Sequence, residues 1–137
     1  ARFEKIISDV MALYGGHRFE LIDNAYLLEF NAVQGRGEAL FHATCSAFLI
    51  LELAGIIDKI PLDLAALVSA NADDVVPEKL PFAGLIVEAT AGAEELIHRR
   101  IEFMELGTND GRQVVSGFQQ PFKTLLENQR KQLSLIY

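Results

Sequence analysis

The longest apolar stretch of this sequence runs from Glu38 to Gly55, EALFHATCSAFLILELAG. At helical spacing its apolar side chains cover about two thirds of the circumference, so such a helix requires neighbours on most sides. Its uncharged part is shorter than the roughly 20 residues that a bilayer needs, and a glutamate lies near each end. The pattern predicts a central buried helix over residues 38–55 of a soluble domain.

The segments on either side of this stretch show helical periodicity and turn signals. In residues 2–14 apolar side chains recur at helical spacing, with charged side chains on the opposite face. This pattern predicts an amphipathic helix ended by Gly15 and Gly16. Proline and acidic residues in 71–79, NADDVVPEK, predict a loop, since Pro77 excludes a continuous helix there.

The second half of the sequence also favours helices. Pro61 predicts a short helix to about Ala70, and residues 81–106 predict a long helix that two glycines weaken. A turn is expected at 107–111, GTNDG, and a last helix that begins between Arg112 and Pro121.

Residues 17–31 fit two structures. Phe19, Leu21, Tyr26, Leu28 and Phe30 alternate as in a β-hairpin around Asp23 and Asn24, a pair that tolerates a tight turn. A helical stripe through the same segment is equally acceptable. Both interpretations stay open, because an isolated hairpin needs a surface to pack on.

The order helix, glycines, hairpin and helix between Met11 and Leu53, with GGHRFELIDNAYLLEF at its centre, is similar to part of a class III nucleotide cyclase. That family pairs the hairpin with a preceding strand that carries a metal-binding aspartate, which this sequence lacks. Its Gly-Asp turn is displaced here to Asp23 and Asn24. The resemblance covers under a third of the chain, and no function is carried across.

The C-terminal segment has the apolar spacing of a short coiled-coil seam. Spacings of four, three, four and three residues connect its members, which are Phe122, Leu126, Gln129, Leu133 and Ile136. Two heptads predict one edge of a bundle or a dimer contact. The polar Gln129 either fixes register or partner within the seam or faces solvent at its edge.

Together these elements predict a mostly α fold, a single-domain helical bundle over residues 1–137 packed around helix 38–55, with a β-hairpin at 17–31 as the one alternative to helix. Half of the residues are hydrophobic, and the ten glycines raise the apolar share above the roughly 45 to 50 % of typical soluble domains. A chain of this size that cannot hide all of its apolar surface is expected to form a homodimer, or to cover the surplus with a small apolar ligand or a protein partner.

Charge and cysteine content narrow the function classes. A net charge of −7 and a pI near 4.9 argue against nucleic acid and anionic membrane surfaces as partners. The single cysteine fits a reducing compartment, and the acidic residues in ARFEKIISDV argue against a signal peptide. The expected location is the cytoplasm.

Two small groups of residues carry candidate chemistry. Glu38, His42 and Cys45 follow one another about one helical turn apart, so they share one arc of the central helix. A nucleophilic thiol with a histidine base, or half of a metal site, uses these residue types. A buried cysteine beside a core histidine is the commoner arrangement.

The second group is Glu95 and His98, spaced as in the Glu-x-x-His pairs of di-iron bundles. Such bundles need two of these pairs, whereas this sequence has one. The sequence therefore does not define a cofactor. The phosphate-binding, nucleophile-elbow and zinc-protease motifs are absent from the sequence.

Two functions follow. The first is a non-catalytic interaction or ligand-sensing module that forms a homodimer. The second is a metal-dependent or Cys/His-based enzyme, which requires Glu38, His42 and Cys45 to face Glu95 and His98 across a pocket between the central helix and residues 94–105.

Overall fold

The computed structural model describes residues 2–22, 25–57, 65–70, 84–105 and 111–137. It has an α/β fold, so the prediction of a mostly α helical bundle is wrong. Two sheets, one of two strands and one of four, pack with the helices. The elements in chain order are α1 Arg2–Tyr14, β1 Gly16–Ile22, β2 Ala25–Phe30, α2 Arg36–Ile57, β3 Ala65–Val68, β4 Gly84–Val87, α3 Ala89–Gly92, α4 Glu95–Arg100, β5 Ile101–Glu105, β6 Gln113–Phe118 and α5 Phe122–Ser134.

The predicted central helix is confirmed as α2, with bounds slightly wider than expected. Helices α1, α4 and α5 and strands from both sheets pack against it. Leu49 and Leu53 on α2 are completely buried, and both belong to one contiguous core that also contains residues of α1, the larger sheet and α5. The apolar pattern around α2 therefore reflects contacts on most of its sides.

By length and composition alone α2 would be long and apolar enough to cross a membrane. Half of its most apolar window is buried inside the protein, however, and a core helix of a soluble protein passes the same test. The packing of α2 is therefore compatible with a soluble protein.

Strands β1 and β2 form an antiparallel hairpin, which decides between the two structures that the sequence left open for residues 17–31. Phe19 pairs with Leu28 and Leu21 with Tyr26, so these side chains share one face of the hairpin. Tyr26 lies against the rings of Phe3 on α1 and of Phe19, with centroids 5.5 and 6.3 Å apart. Helices α1 and α2 thus supply the surface on which this two-stranded sheet packs. The expected turn residues 23 and 24 lie outside the described residues.

The larger sheet has the strand order β3-β4-β6-β5, with β3 and β4 parallel and the other pairs antiparallel. Its presence corrects two predictions. Residues 65–68 form a strand where a helix was expected over 61–70, and residues 84–105 form two strands and two short helices where one long helix was expected. The loop predicted at 71–79 and residues 107–110 of the predicted turn lie outside the described residues.

The physical reason for these errors is that short buried strands have no alternating pattern. Leu85, Ile86 and Val87 in β4 are all buried, so the strand shows a continuous apolar run that also fits a helix. Gly84, the first residue of this strand, adopts a φ of +137°, a conformation that no other residue type adopts without strain.

The terminal helices agree better with the sequence. Helix α1 ends at Tyr14, and Gly15 follows it with a φ of +72°, as the glycine pair predicted. Helix α5 begins at Phe122, close to the later of the two predicted starts, because residues 113–118 form β6.

Candidate functional site

The polar arc of α2 faces other parts of the protein and is largely enclosed by them. Cys45 is buried, whereas the side chains of Glu38 and His42 are 29 % and 32 % exposed. The three residues lie on one side of α2, as their spacing predicted. The elements that meet them are α1, α4 and α5.

The carboxylate of Glu38 is held by Arg100, the last residue of α4. The guanidinium donates two hydrogen bonds, from Nη1 to Oε2 at 3.2 Å and from Nη2 to Oε1 at 3.1 Å. Its central carbon also lies 4.9 Å from the ring centroid of Phe41 and 4.8 Å from that of Phe122. A planar guanidinium suits this combination of a two-point ion pair and two aromatic faces. Arg100 thereby joins α4 to both α2 and α5.

His42 lies beside the same carboxylate. Its Nε2 is 3.6 Å from Oε2 of Glu38, one turn earlier in the helix. The imidazole ring packs against Tyr14 and Phe41, with centroids 5.7 and 6.4 Å away. Glu38 is therefore shared between a histidine on its own helix and an arginine from another.

Tyr14 connects this cluster to the C-terminal helix. Its hydroxyl donates a hydrogen bond to Oε1 of Gln129 on α5, and it also interacts with the thiol of Cys45. Burial raises the pKa of the Tyr14 hydroxyl above its ordinary value, so the group stays protonated as a donor. Gln129, the polar member of the predicted seam, therefore forms a hydrogen bond within its own chain.

The thiol of Cys45 is poorly suited to nucleophilic chemistry. Burial raises its pKa to about 12, and the nearby Arg100 opposes this shift only in part. The thiolate is the reactive form, so a cysteine of this kind is almost entirely in the unreactive state near neutral pH. This observation favours the interpretation of Cys45 as a small apolar core residue.

Glu95 and His98 do not join the cluster in the way that the enzyme hypothesis requires. Both are exposed on α4, and the His98 ring packs edge-on against Phe103, with centroids 6.3 Å apart. Helix α4 was expected to continue to residue 106 but ends at Arg100. The α4 residue that contacts α2 is therefore Arg100, at the end of the helix, and not Glu95 or His98.

Close packing at the start of α2 fixes the position of α4. Gly37 leaves room for Leu96, whose Cβ would lie 3.3 Å from a Cβ added at the glycine. Arg36 also forms an ion pair with Glu94, from Nε to Oε1 at 3.2 Å. The first turn of α2 thus carries contacts to both ends of the α4 segment.

The predicted seam on α5 mostly faces the core. Leu126 and Leu133 are buried at 1 % and 9 % exposure, and Phe122 packs edge-on against Phe41 at 4.8 Å between centroids. Ile136 is the exposed member, at 61 %. The seam residues therefore pack α5 against the core of its own chain. A dimer contact made by the same residues would require α5 to separate from that core.

Within the residues that the structure describes, no group of three or more His, Cys, Asp or Glu side chains is arranged to hold a metal ion. The cluster thus consists of Glu38, His42, Cys45, Tyr14, Gln129 and Arg100, linked by internal ion pairs and hydrogen bonds. Sequence reasoning missed Tyr14 and Arg100. Tyr14 ends the apolar stripe of α1, which is a weak signal, and no periodicity marks Arg100.

Comparisons with protein-family models, curated protein sequences and solved structures found no match to this chain.

Proposed function

We propose that this chain is a non-catalytic interaction module that pairs with a second copy of itself through the exposed side of α1 and α5. The observation that carries this proposal is a row of exposed aliphatic side chains along these two helices. Leu13 on α1 is 50 % exposed. Leu125 on α5 is 48 % exposed, and Ile136, just after the end of α5, is 61 % exposed. We call this surface the α1–α5 face.

Two hydrogen bonds place α1 beside α5. Tyr14 bonds to Gln129, and the hydroxyl of Tyr137 donates to Asp9, so the two helices run antiparallel. Leu13 precedes Tyr14, and Ile136 precedes Tyr137. Leu125 lies one turn before Gln129 in α5. Exposed apolar side chains grouped in this way are typical of protein interaction sites.

The charge of these helices also supports contact between two copies. Helix α1 carries two basic and two acidic side chains, and α5 carries three basic and one acidic, which gives the pair a net charge of +2 in a chain of −7. The remainder of the chain therefore carries −9. In a contact between two copies the α1–α5 face meets itself, and its small net charge causes less repulsion than the larger charge of the rest of the chain would.

The size of this surface fits a modest dimer. Each helix has 13 residues and is about 20 Å long. A standard interface covers about 800 Å² per partner, roughly one tenth of the 8234 Å² that this chain exposes.

The buried thiol of Cys45 and the internal pairing of Glu38 favour this function over the Cys/His or metal-dependent enzyme. We also propose a cytoplasmic location, which the single buried, unpaired cysteine supports.

The test is the molar mass in solution, measured by sedimentation at tens of micromolar. We expect a dimer for the native chain and a folded monomer for the double variant Leu13→Glu with Ile136→Glu. Met104→Glu is the matched control, because Met104 is 57 % exposed on β5, outside the α1–α5 face. A monomeric native chain, or a double variant that stays dimeric, would refute the proposal.

A further inference from the structure

A groove of about 340 Å³ lies between the C-terminal half of α2 and strands β4 and β6. Phe48 and Leu51 form its helical wall, and Leu85 and Val115 line it from the strands. Its volume lies within the range of small-molecule sites, which are mostly apolar with a few polar groups.

Two glycines keep this groove open. Gly55 on α2 and Gly84 at the start of β4 both line it, and a Cβ added at either would meet no atom within 4 Å. Any larger side chain at these positions would project into free space. Gly84 is further restricted to glycine by its φ of +137°, whereas Gly55 lies in a helix and accepts substitution.

Among the described lining residues, the polar side-chain groups are one carboxylate and one hydroxyl. Glu52 and Ser116 line it beside the apolar residues. The described cation nearest to Glu52 is Arg130, with Nη1 3.8 Å from Oε2, and both side chains are partly exposed. A pair at this distance and exposure is weak, so the carboxylate is able to take a second cationic partner.

We propose that this groove binds a small amphipathic amine, with its hydrocarbon part between α2 and the sheet and its ammonium group on Glu52. The carboxylate would repel an anionic ligand of the same shape, and a purely apolar one would give it no partner beyond Arg130. None of the described lining residues belongs to α1 or α5. The proposal is therefore independent of the α1–α5 face.

Octylamine is the probe, used below its micelle concentration, with octanol and octanoate as matched probes that differ only in the polar group. Protein-observed NMR titration of the full chain should give saturable binding of octylamine at one site. Octanoate should bind at least tenfold more weakly. Glu52→Gln should lower the affinity for octylamine about tenfold and leave that for octanol unchanged.

Gly55→Leu adds a side chain at a position that lines the groove, where a Cβ meets no atom within 4 Å, and should abolish binding of both octylamine and octanol. Asn128→Leu, which adds the same side chain at an exposed position of α5, is the control and should bind as the native chain does. Binding should persist in the Leu13→Glu, Ile136→Glu variant, which separates this proposal from dimerisation. Absence of saturable binding, equal affinity for octanoate, or unchanged binding in Gly55→Leu would each overturn it.

Discussion

Arg100 and Glu38 form a two-point ion pair between positions 62 residues apart in the sequence. The pair joins the end of α4 to the first turn of α2, and the rings of Phe41 and Phe122 pack beside the guanidinium.

Arg100→Ala should therefore destabilise the protein by about 2 to 3 kcal/mol, since it removes two charge-assisted hydrogen bonds and two cation–π contacts and leaves Glu38 partly buried. Urea denaturation measures the loss. Arg99→Ala is the matched control, because Arg99 is exposed, and should change stability by less than about 0.5 kcal/mol. Equal effects of the two substitutions would show that the ion pair contributes little.

Ser46→Ala should stabilise the protein by about 1 kcal/mol. The hydroxyl of Ser46 is completely buried and has no hydrogen-bond partner among the described residues, and an unsatisfied buried hydroxyl is costly.

Thr44 is the comparison for Ser46, because it is equally buried but donates a hydrogen bond to the carbonyl of Leu40 at 2.7 Å. Thr44→Val should destabilise by about 0.5 to 1 kcal/mol. Thermal unfolding of both variants tests the contrast, and a loss of stability in Ser46→Ala would mean that the hydroxyl has a partner.

The stability of the protein should fall above pH 9. Burial raises the pKa of the Cys45 thiol from 9.0 to about 12, so the folded state keeps a proton that the unfolded state loses. The stabilisation is complete below pH 9 and is lost as the pH rises towards 12. Between pH 9 and 10.5 this thiol alone should account for about 1.5 kcal/mol of the decrease.

The measurement is the free energy of unfolding at both pH values for the native chain and for Cys45→Ala. The variant should lose about 1.5 kcal/mol less over this interval, whatever its stability at pH 9. Burial, the main cause of the raised pKa of Tyr14, is present in both proteins, and the smaller effect of Cys45 on Tyr14 is lost in the variant. Identical pH dependence of the two would contradict the burial of the thiol.

Gly55→Ala should stabilise α2 by about 0.5 to 1 kcal/mol, because alanine is the better helix former and the new methyl group meets no atom within 4 Å. Gly37→Ala in the same helix should be less favourable by about 1 kcal/mol, since its methyl group would lie 3.3 Å from Cβ of Leu96. Denaturation midpoints of the two variants give the comparison. A larger gain at Gly37 would mean that α4 does not pack against the first turn of α2.

The parts of the fold that the sequence predicted are those in which local pattern and packing agree. Helix α2 has apolar residues on most sides and is surrounded, and α1 has one apolar face and buries that face. In the hairpin, alternation was visible, but the surfaces offered by α1 and α2 decide for strand. These elements needed little information from distant residues.

The larger sheet could not be predicted in the same way. Strand β5, Ile101–Glu105, alternates buried and exposed side chains and also continues the helical pattern of α4. Its pairing with β6 selects the strand, and that pairing depends on residues outside any local window.

The candidate site shows the same limit. The spacing of Glu38, His42 and Cys45 was enough to place them on one arc. The spacing did not identify Arg100 as the partner of Glu38, because that partner depends on where α4 ends. A helix that stops at residue 100 presents Arg100 to that arc and leaves His98 in solvent.

The packing of α5 on α2 has a consequence for synthesis of the chain on the ribosome. Helix α2 ends at Ile57 and α5 begins at Phe122, so 65 residues must be added before the second helix can reach the first. At about 5 to 20 residues per second, the side of α2 that carries Phe41 waits roughly 3 to 13 s for Phe122. During that interval the side of α2 that α5 later covers stays exposed in the nascent chain, which makes it a substrate for chaperones that bind exposed hydrophobic segments.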